Sequence, residues 1–140
     1  MHISARTDYA VRAMLVIADA HPRLVKAAEI ATVDRIPASF LTEILMDLRR
    51  NGLVLSFRGV EGGHGLARSA DEISVGDILR ATDGVLVTTV RGRPTVLASY
   101  DGPAQGLREV WLSLDRAITE IVDRTTLSDL LATPARSQAD

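Results

Sequence analysis

The feature that most constrains the fold lies between residues 25 and 67, where two helical patterns are followed at once by a strand and a glycine-rich turn. Apolar residues recur at helical spacing from Val25 to Val33 and again from Pro37 to Leu48, and Asn51-Gly52 ends the second pattern. The run LVLSF has the length of a strand, and Leu66-Ala67 can pair with it across the turn RGVEGGHG. Two helices, a tight turn and a hairpin predict a winged helix-turn-helix.

The second of these helices has an exposed face suited to a DNA groove. Its apolar stripe, which we expect to be buried, is Phe40, Leu41, Ile44, Leu45 and Leu48. Hydroxyls near the helix start can bond to base edges, and arginines near its end are suited to backbone phosphates. The predicted exposed face is Ser39, Thr42, Glu43, Met46, Arg49 and Arg50.

The glycine-rich turn predicts a thin ribbon that can approach DNA closely. Its glycines, among them Gly62 and Gly63, permit backbone conformations that other residues avoid. Arg58 and His64 flank the predicted tip, and a cationic side chain on such a ribbon suits the minor groove.

Helical patterns also lie on both sides of this unit. Thr7 to Ala20 predicts a first helix with Thr7 as its N-cap, and Asp71 to Thr82 predicts another short helix. Residues 85–103 contain prolines and glycines and predict an irregular loop, whereas Gln105 to Asp123 is the longest helical pattern.

That longest helix carries apolar residues at alternating spacings of four and three, which is typical of a helix that packs against a partner helix. It would be roughly 27 Å long, too long to bury its stripe on so small a head. We therefore expect a homodimer. The predicted seam is Leu107, Trp111, Leu114, Ile118 and Ile121.

The expected fold class is thus mainly α with a small β-wing, a winged helix-turn-helix head plus a long dimerisation helix. The expected divisions are a DNA-binding domain at 1–84, a loop at 85–103, the dimerisation helix and a short closing helix at 104–131, and a disordered tail at 132–140.

Composition excludes several classes of function. The chain has no cysteine, so it can form no disulfide or thiolate metal site, and its three histidines have no metal-ligand spacing. No apolar run is long enough to span a membrane and no signal peptide is evident, so we expect a cytoplasmic protein. Residues 1–70 carry nine basic and seven acidic side chains, and residues 71–140 carry seven and eleven. A basic N-terminal half and an acidic C-terminal half suit a protein that presents one surface to DNA. The sequence shows no evident pair of a nucleophile and a general base, so we do not expect an enzyme.

The string ASFLTEILMDLRRNGLVLSFRGVEGGHGLA resembles the recognition helix and wing of the Rrf2 family of bacterial repressors. The resemblance extends to TDYAVRAMLVIA, AAEIA, ISVGDILRATDG and TTLSDLL, and so covers nearly the whole chain. It implies a homodimer that binds a palindromic operator in double-stranded DNA and represses transcription.

Carried over by position, the resemblance implies roles for individual residues. Ser39, Thr42 and Glu43 match the base-reading positions. The basic helix end and the wing of the family are matched by Arg49, Arg50, Arg58, Gly62, Gly63 and His64.

The chain departs from the family pattern in three places. Arg35 stands where the helix turn usually has glycine, and Pro37 stands where the recognition helix usually has a serine cap. Cluster-binding members also carry three cysteines before the long helix, and these positions fall here near Arg91 to Arg93, at Ser99 and at Gln105. Iron–sulfur clusters are held mainly by cysteine, so we expect neither a cluster nor any other cofactor.

The signal is left open by the sequence. A small molecule could bind between the head, the loop and the long helix, where Tyr100 and Trp111 would stack on it, and Arg91 and Arg93 hint at an anion. Alternatively, a protein partner could tune operator affinity. An interaction protein that has lost DNA binding is a further alternative, against which the retained arginines and glycine wing argue.

Overall fold

The structure, a computed structural model, describes residues 2–83 and 88–133 of the chain. Helices dominate these ranges, with a small antiparallel sheet between the third and fourth helices, so the predicted fold class is confirmed. In chain order the elements are α1 (Ala5–Ala20), α2 (Ala27–Asp34), α3 (Ala38–Arg50), β1 (Val54–Phe57), β2 (Gly63–Leu66), α4 (Val75–Asp83), β3 (Thr89–Val90), β4 (Arg93–Pro94), 3-10 turns at Thr95–Leu97 and Gly102–Ala104, α5 (Leu107–Arg124) and α6 (Leu127–Ala132).

Helix α1 forms the centre of the head because one of its faces is apolar from Ala10 to Ala18. Ala10, Ala13, Met14 and Ile17 are fully buried, and α1 packs against α2, α3, α4, α6 and the wing. The expected cap was wrong. Ser4 caps the helix, and its hydroxyl accepts from the backbone N–H of Thr7, which itself lies buried in the first turn.

Helices α2 and α3 form the helix-turn-helix. Arg35 ends α2 in the left-handed region with a φ of 52°, at the position where the family usually has glycine. A side chain in that conformation costs roughly 1–2 kcal/mol. Pro37 is the residue before α3 and not its first helical residue, and it provides no side-chain cap. Val25 was expected in α2 but precedes it.

Strands β1 and β2 form the wing, and they pair with Val54 opposite Leu66 and Phe57 opposite Gly63. The second strand therefore begins earlier than Leu66, within the glycine-rich segment. Val25 makes an isolated bridge to His64, with reciprocal backbone bonds of 2.9 and 2.8 Å. This bridge fastens the wing to the segment that enters α2.

The second half of the described chain also differs in detail from expectation. Helix α4 begins at Val75, not at Asp71, because the Ser74 hydroxyl and the Asp77 carboxylate each accept from the other residue's backbone N–H and cap the helix. Residues 88–103 are not wholly irregular, since β3 and β4 form a hairpin and the two 3-10 turns follow it. The predicted tail overlaps α6 at Ala132, and residues 84–87 and 134–140 lie outside the described ranges.

Helix α5 packs on α4 and on the first 3-10 turn, and an ion pair of 2.7 Å joins Arg80 to Asp123. Within the described ranges, no helix is both long enough and apolar enough to cross a membrane.

Candidate nucleic-acid interface

The exposed face of α3 carries the side chains that the sequence predicted for it. Leu41, Ile44, Leu45 and Leu48 are buried. Phe40 was expected among them but is 41% exposed, and its ring packs on that of Tyr9 in a T-shaped arrangement with 5.7 Å between ring centroids. The residues exposed on the opposite face are Ser39, Thr42, Glu43, Met46, Arg49 and Arg50.

The wing stands beside this face and forms a cleft of about 390 Å³ with it. Four predicted site residues line the cleft together, namely Thr42, Arg49, Arg58 and His64. The Thr42 hydroxyl donates to the carbonyl of Ala38 at 3.1 Å, which leaves its oxygen able to accept from a base.

Two further predicted residues lie on the other side of α3. Glu43 and Arg50 line a cavity of about 350 Å³ together with Arg6 of α1. Arg6 forms ion pairs with Asp47 and, at 3.8 Å, with Glu43. Sequence reasoning missed Arg6, because this contact joins α1 to α3 and no local pattern reveals it.

The arginines of this surface have no acidic partner among the described residues, unlike most others in the chain. Ion pairs engage Arg6, Arg12, Arg23, Arg68, Arg80, Arg108 and Arg124. Arg49, Arg50 and Arg58 are exposed and belong to no such pair in the same ranges. Their guanidinium groups are therefore available to phosphates.

His64 lies within β2, where its Nδ1 is 2.8 Å from the hydroxyl of Ser56. Burial and the charge of Lys26 lower the pKa of His64 below its usual range. The imidazole is consequently neutral at pH 7. Of the two residues that flank the wing tip, Arg58 and His64, only Arg58 is therefore cationic.

Gly62 and Gly63 are buried and shape the wing without presenting a surface of their own. A Cβ on Gly62 would collide with the carbonyl groups of Phe57 and Arg58, and one on Gly63 would lie 2.9 Å from the carbonyl oxygen of Val25. Lys26, which sequence reasoning also missed, is the residue before α2, and it donates to the carbonyl of Gly59 at 2.7 Å and so supports the wing turn.

Helix α5 has no buried residue in the single chain. Of the predicted seam, Leu107, Leu114 and Ile121 are exposed, whereas Trp111 and Ile118 are half-buried. Trp111 donates from Nε1 to the hydroxyl of Tyr100 at 3.1 Å, so it contacts its own chain.

An exposed helix whose arginines have no acidic partner among the described residues, held beside a glycine-turned wing, defines the class of winged helix-turn-helix DNA-binding proteins. The chain belongs to the Rrf2 family, described as an iron-dependent transcriptional regulator, whose family model matches residues 3–133. It is therefore a transcriptional regulator with a DNA-binding fold and not an enzyme.

Similar proteins agree with this assignment. A putative HTH-type transcriptional regulator of Mycobacterium tuberculosis is 42% identical over 131 residues, which cover 93% of this chain and 81% of that protein. CymR of Bacillus subtilis is 33% identical over 133 residues, which cover 93% of this chain and 89% of that protein. The structure of CymR, the global cysteine regulator of B. subtilis, superposes with a TM-score of 0.83 at 29% identity, covering 96% of this chain and 99% of that one. The structure of IscR of T. potens superposes with a TM-score of 0.74 at 29% identity, covering 98% of this chain and 94% of that one.

The family description implies iron, and the donor set of this chain does not fit an iron–sulfur cluster. The chain has no cysteine to supply a thiolate. The positions where the resemblance places ligands hold arginine near 91–93, Ser99 and Gln105, and residues 2–83 and 88–133 contain no group of three or more histidine or acidic side chains that could hold a metal ion.

Proposed function

We propose that this protein is a homodimeric repressor that binds a palindromic operator through α3 and the wing, without an iron–sulfur cluster. The observation that carries the proposal is the α3–wing cleft, where Thr42, Arg49 and Arg58 converge and the arginines have no acidic partner in the described ranges. A cleft of this kind can accept the edge of a DNA backbone while α3 enters the major groove.

The positions of the side chains support different roles for the start of α3, the end of α3 and the wing. Ser39, Thr42 and Glu43 lie on the first turns of α3, and their oxygens can bond to base edges. Arg49 and Arg50 lie in the last turn, where they suit backbone phosphates, and Arg58 reaches the minor groove from the wing.

Dimerisation is supported by the apolar side of α5. Leu107, Val110, Leu114 and Ile121 are 36%, 52%, 44% and 66% exposed, and Ala117 is exposed between the last two. These five residues follow spacings of three, four, three and four, which is the repeat of a helix–helix seam. An apolar stripe of this length on a surface helix costs free energy in water, and a second copy of α5 would cover it.

A twofold axis through α5 would present two copies of α3 to the same face of DNA. Heads about 34 Å apart match half-sites one helical turn apart, hence a palindrome. A dimer seated on a promoter blocks access to that DNA, which is the basis for repression. A DNA target agrees with the expected location of the protein in the cytoplasm.

Titration of a duplex from the protein's own promoter tests this proposal. Light scattering on the complex should give two protomers per duplex. In a separate assay, expression of a reporter driven by that promoter should fall when the protein is present. A shuffled duplex of the same length is the control. Equal affinity for both duplexes would overturn sequence-specific binding, and one protomer per duplex would overturn the dimer. Failure to bind either duplex would favour an interaction protein that has lost DNA binding.

A further inference from the structure

A cavity of about 290 Å³ lies in the segment between α4 and α5, and none of its lining residues belongs to α3 or the wing. It is an open cavity, formed by the β3–β4 hairpin, the first 3-10 turn and the two residues that follow that turn. Arg91, Arg93 and Ser99 supply its polar groups, and Pro94 and Leu97 contribute to an apolar wall.

The hairpin turn brings two arginines to this cavity. Val90 pairs with Arg93, so Arg91 and Gly92 form the tip, both with positive φ values of 51° and 77°. Arginine disfavours that conformation, and residues held in such strain cluster at sites where ligands are bound. The strained turn places Arg91 beside Arg93 on the cavity wall.

Both arginines lack acidic partners within residues 2–83 and 88–133, and no acidic side chain lines the cavity. Arg108, which follows in the chain, pairs with its neighbour Glu109 and donates to the carbonyl of Val96. Two cations that line one cavity, with no counter-charge among the described residues, favour an anion, since guanidinium groups bind carboxylates and phosphates in bidentate fashion.

We propose that this cavity binds a small organic anion, a carboxylate or phosphate ester with a short hydrocarbon body, and that the anion is the effector of the regulator. The effector role rests on the proposed DNA-binding function. A volume of about 290 Å³ lies at the lower limit of ligand pockets, which suits a molecule of a few carbons.

The cavity is connected to α5 by three polar contacts on its borders. The N–H of Thr88 donates to Oδ1 of Asp115 at 2.8 Å, and Arg108 donates to the carbonyl of Val96 at 3.1 Å. The bond from Trp111 to Tyr100 is the third. An anion that ties the hairpin to the 3-10 turn therefore acts on the helix that sets the separation of the two heads, and it shifts DNA affinity if it binds the two arrangements unequally.

Calorimetric titration of the full chain tests the site, with succinate, pyruvate, glycerol 3-phosphate and inorganic phosphate as probes and glycerol as the neutral control. At least one organic anion should bind wild-type protein, and Arg91→Gln/Arg93→Gln should weaken it by about tenfold or more. Arg116→Gln/Arg124→Gln removes the same charge from exposed positions of α5 and should leave binding unchanged. The bound anion should shift operator affinity about fivefold or more in wild type and not in the hairpin variant.

The outcomes separate the site from the function on which it rests. If no probe binds below about 10 mM while the promoter duplex binds normally, the site is wrong and the DNA-binding proposal stands. Binding of inorganic phosphate alone, or anion binding with no change in operator affinity, overturns the effector role. If the hairpin variant loses operator affinity without any anion, the arginines contact DNA and the site is again wrong. If wild type fails to bind DNA at all, the proposed function itself fails.

Discussion

Nη1 of Arg6 in α1 lies 3.8 Å from Oε2 of Glu43 on the exposed face of α3, and the same guanidinium pairs with Asp47. One cation thus compensates two carboxylates on the helix proposed to enter the groove. Without it, both carboxylates would be uncompensated near the phosphates of DNA. Arg6 consequently belongs to the account of DNA binding although it lies outside the helix-turn-helix.

Arg6→Gln should lower affinity for the operator by about threefold to tenfold, because two carboxylates become uncompensated beside DNA. Fluorescence anisotropy measures this effect. Arg6→Gln/Glu43→Gln should recover part of the loss. Arg124→Gln, which removes an exposed arginine paired with Glu120 on α5, is the matched control and should leave affinity within about twofold. Equal losses in Arg6→Gln and the double variant would show that Glu43 is not the residue on which Arg6 acts.

Gly62→Ala should distort the wing turn, because the new Cβ collides with the backbone of Phe57 and Arg58. We expect a loss of about 1–3 kcal/mol in the free energy of unfolding and weaker operator binding. Gly106→Ala is the control, since its Cβ meets nothing within 4 Å and its φ of −74° suits alanine. Denaturant unfolding should show that variant unchanged or slightly more stable. A fully stable Gly62→Ala protein would contradict the geometry of the turn.

Val110→Glu should convert the dimer to a monomer, since it puts a charge into the exposed stripe of α5 and costs at least about 100-fold in dimer affinity. Light scattering coupled to gel filtration reads the mass directly. Ser113→Glu, at an exposed neighbouring position outside the stripe, should stay dimeric. A dimeric Val110→Glu protein would show that the seam runs elsewhere on α5.

His64 should make the wing sensitive to acid. Burial first, and then the charge of Lys26, hold its pKa below the usual value of about 6.5. The unfolded chain therefore binds the proton more readily, so this contribution to stability is complete above about pH 6.5 and is lost as the pH falls through the folded pKa. Thermal unfolding between about pH 5 and 8 should show a smaller acid loss for His64→Gln than for wild type. His2→Gln, at an exposed position, is the control, and identical acid losses in wild type and His64→Gln would contradict this role.

The local parts of this fold could be predicted from the sequence because their signals are periodic. The stripe through Leu41, Ile44 and Leu48 repeats at helical spacing, and its opposite face follows from that repeat. Phe40 belongs to the same pattern, yet its environment depends on the distance of α3 from Tyr9 of α1, which no local pattern contains.

Contacts between distant segments account for the parts that could not be predicted. The bridge from Val25 to His64 moves the start of α2 and places His64 in a strand, and the ion pairs of Arg6 connect α1 to α3. The side of α5 that faces its own chain could not be predicted either. An apolar stripe with spacings of four and three can run through either Trp111 or Val110. The hydrogen bond of Trp111 to Tyr100 shows that the Trp111 side is the one that contacts its own chain.

The salt dependence of operator binding tests the central claim most directly, since phosphate contacts release counterions in proportion to their number. Anisotropy titrations of the promoter duplex should show affinity that falls steeply with salt, with a slope smaller by about 2 per protomer in Arg49→Ala/Arg50→Ala. Thr42→Ala should instead change the preference among sequences and leave the slope unchanged. A shallow slope in wild-type protein, or an unaltered slope in the arginine variant, would contradict the proposal that α3 and the wing dock on DNA.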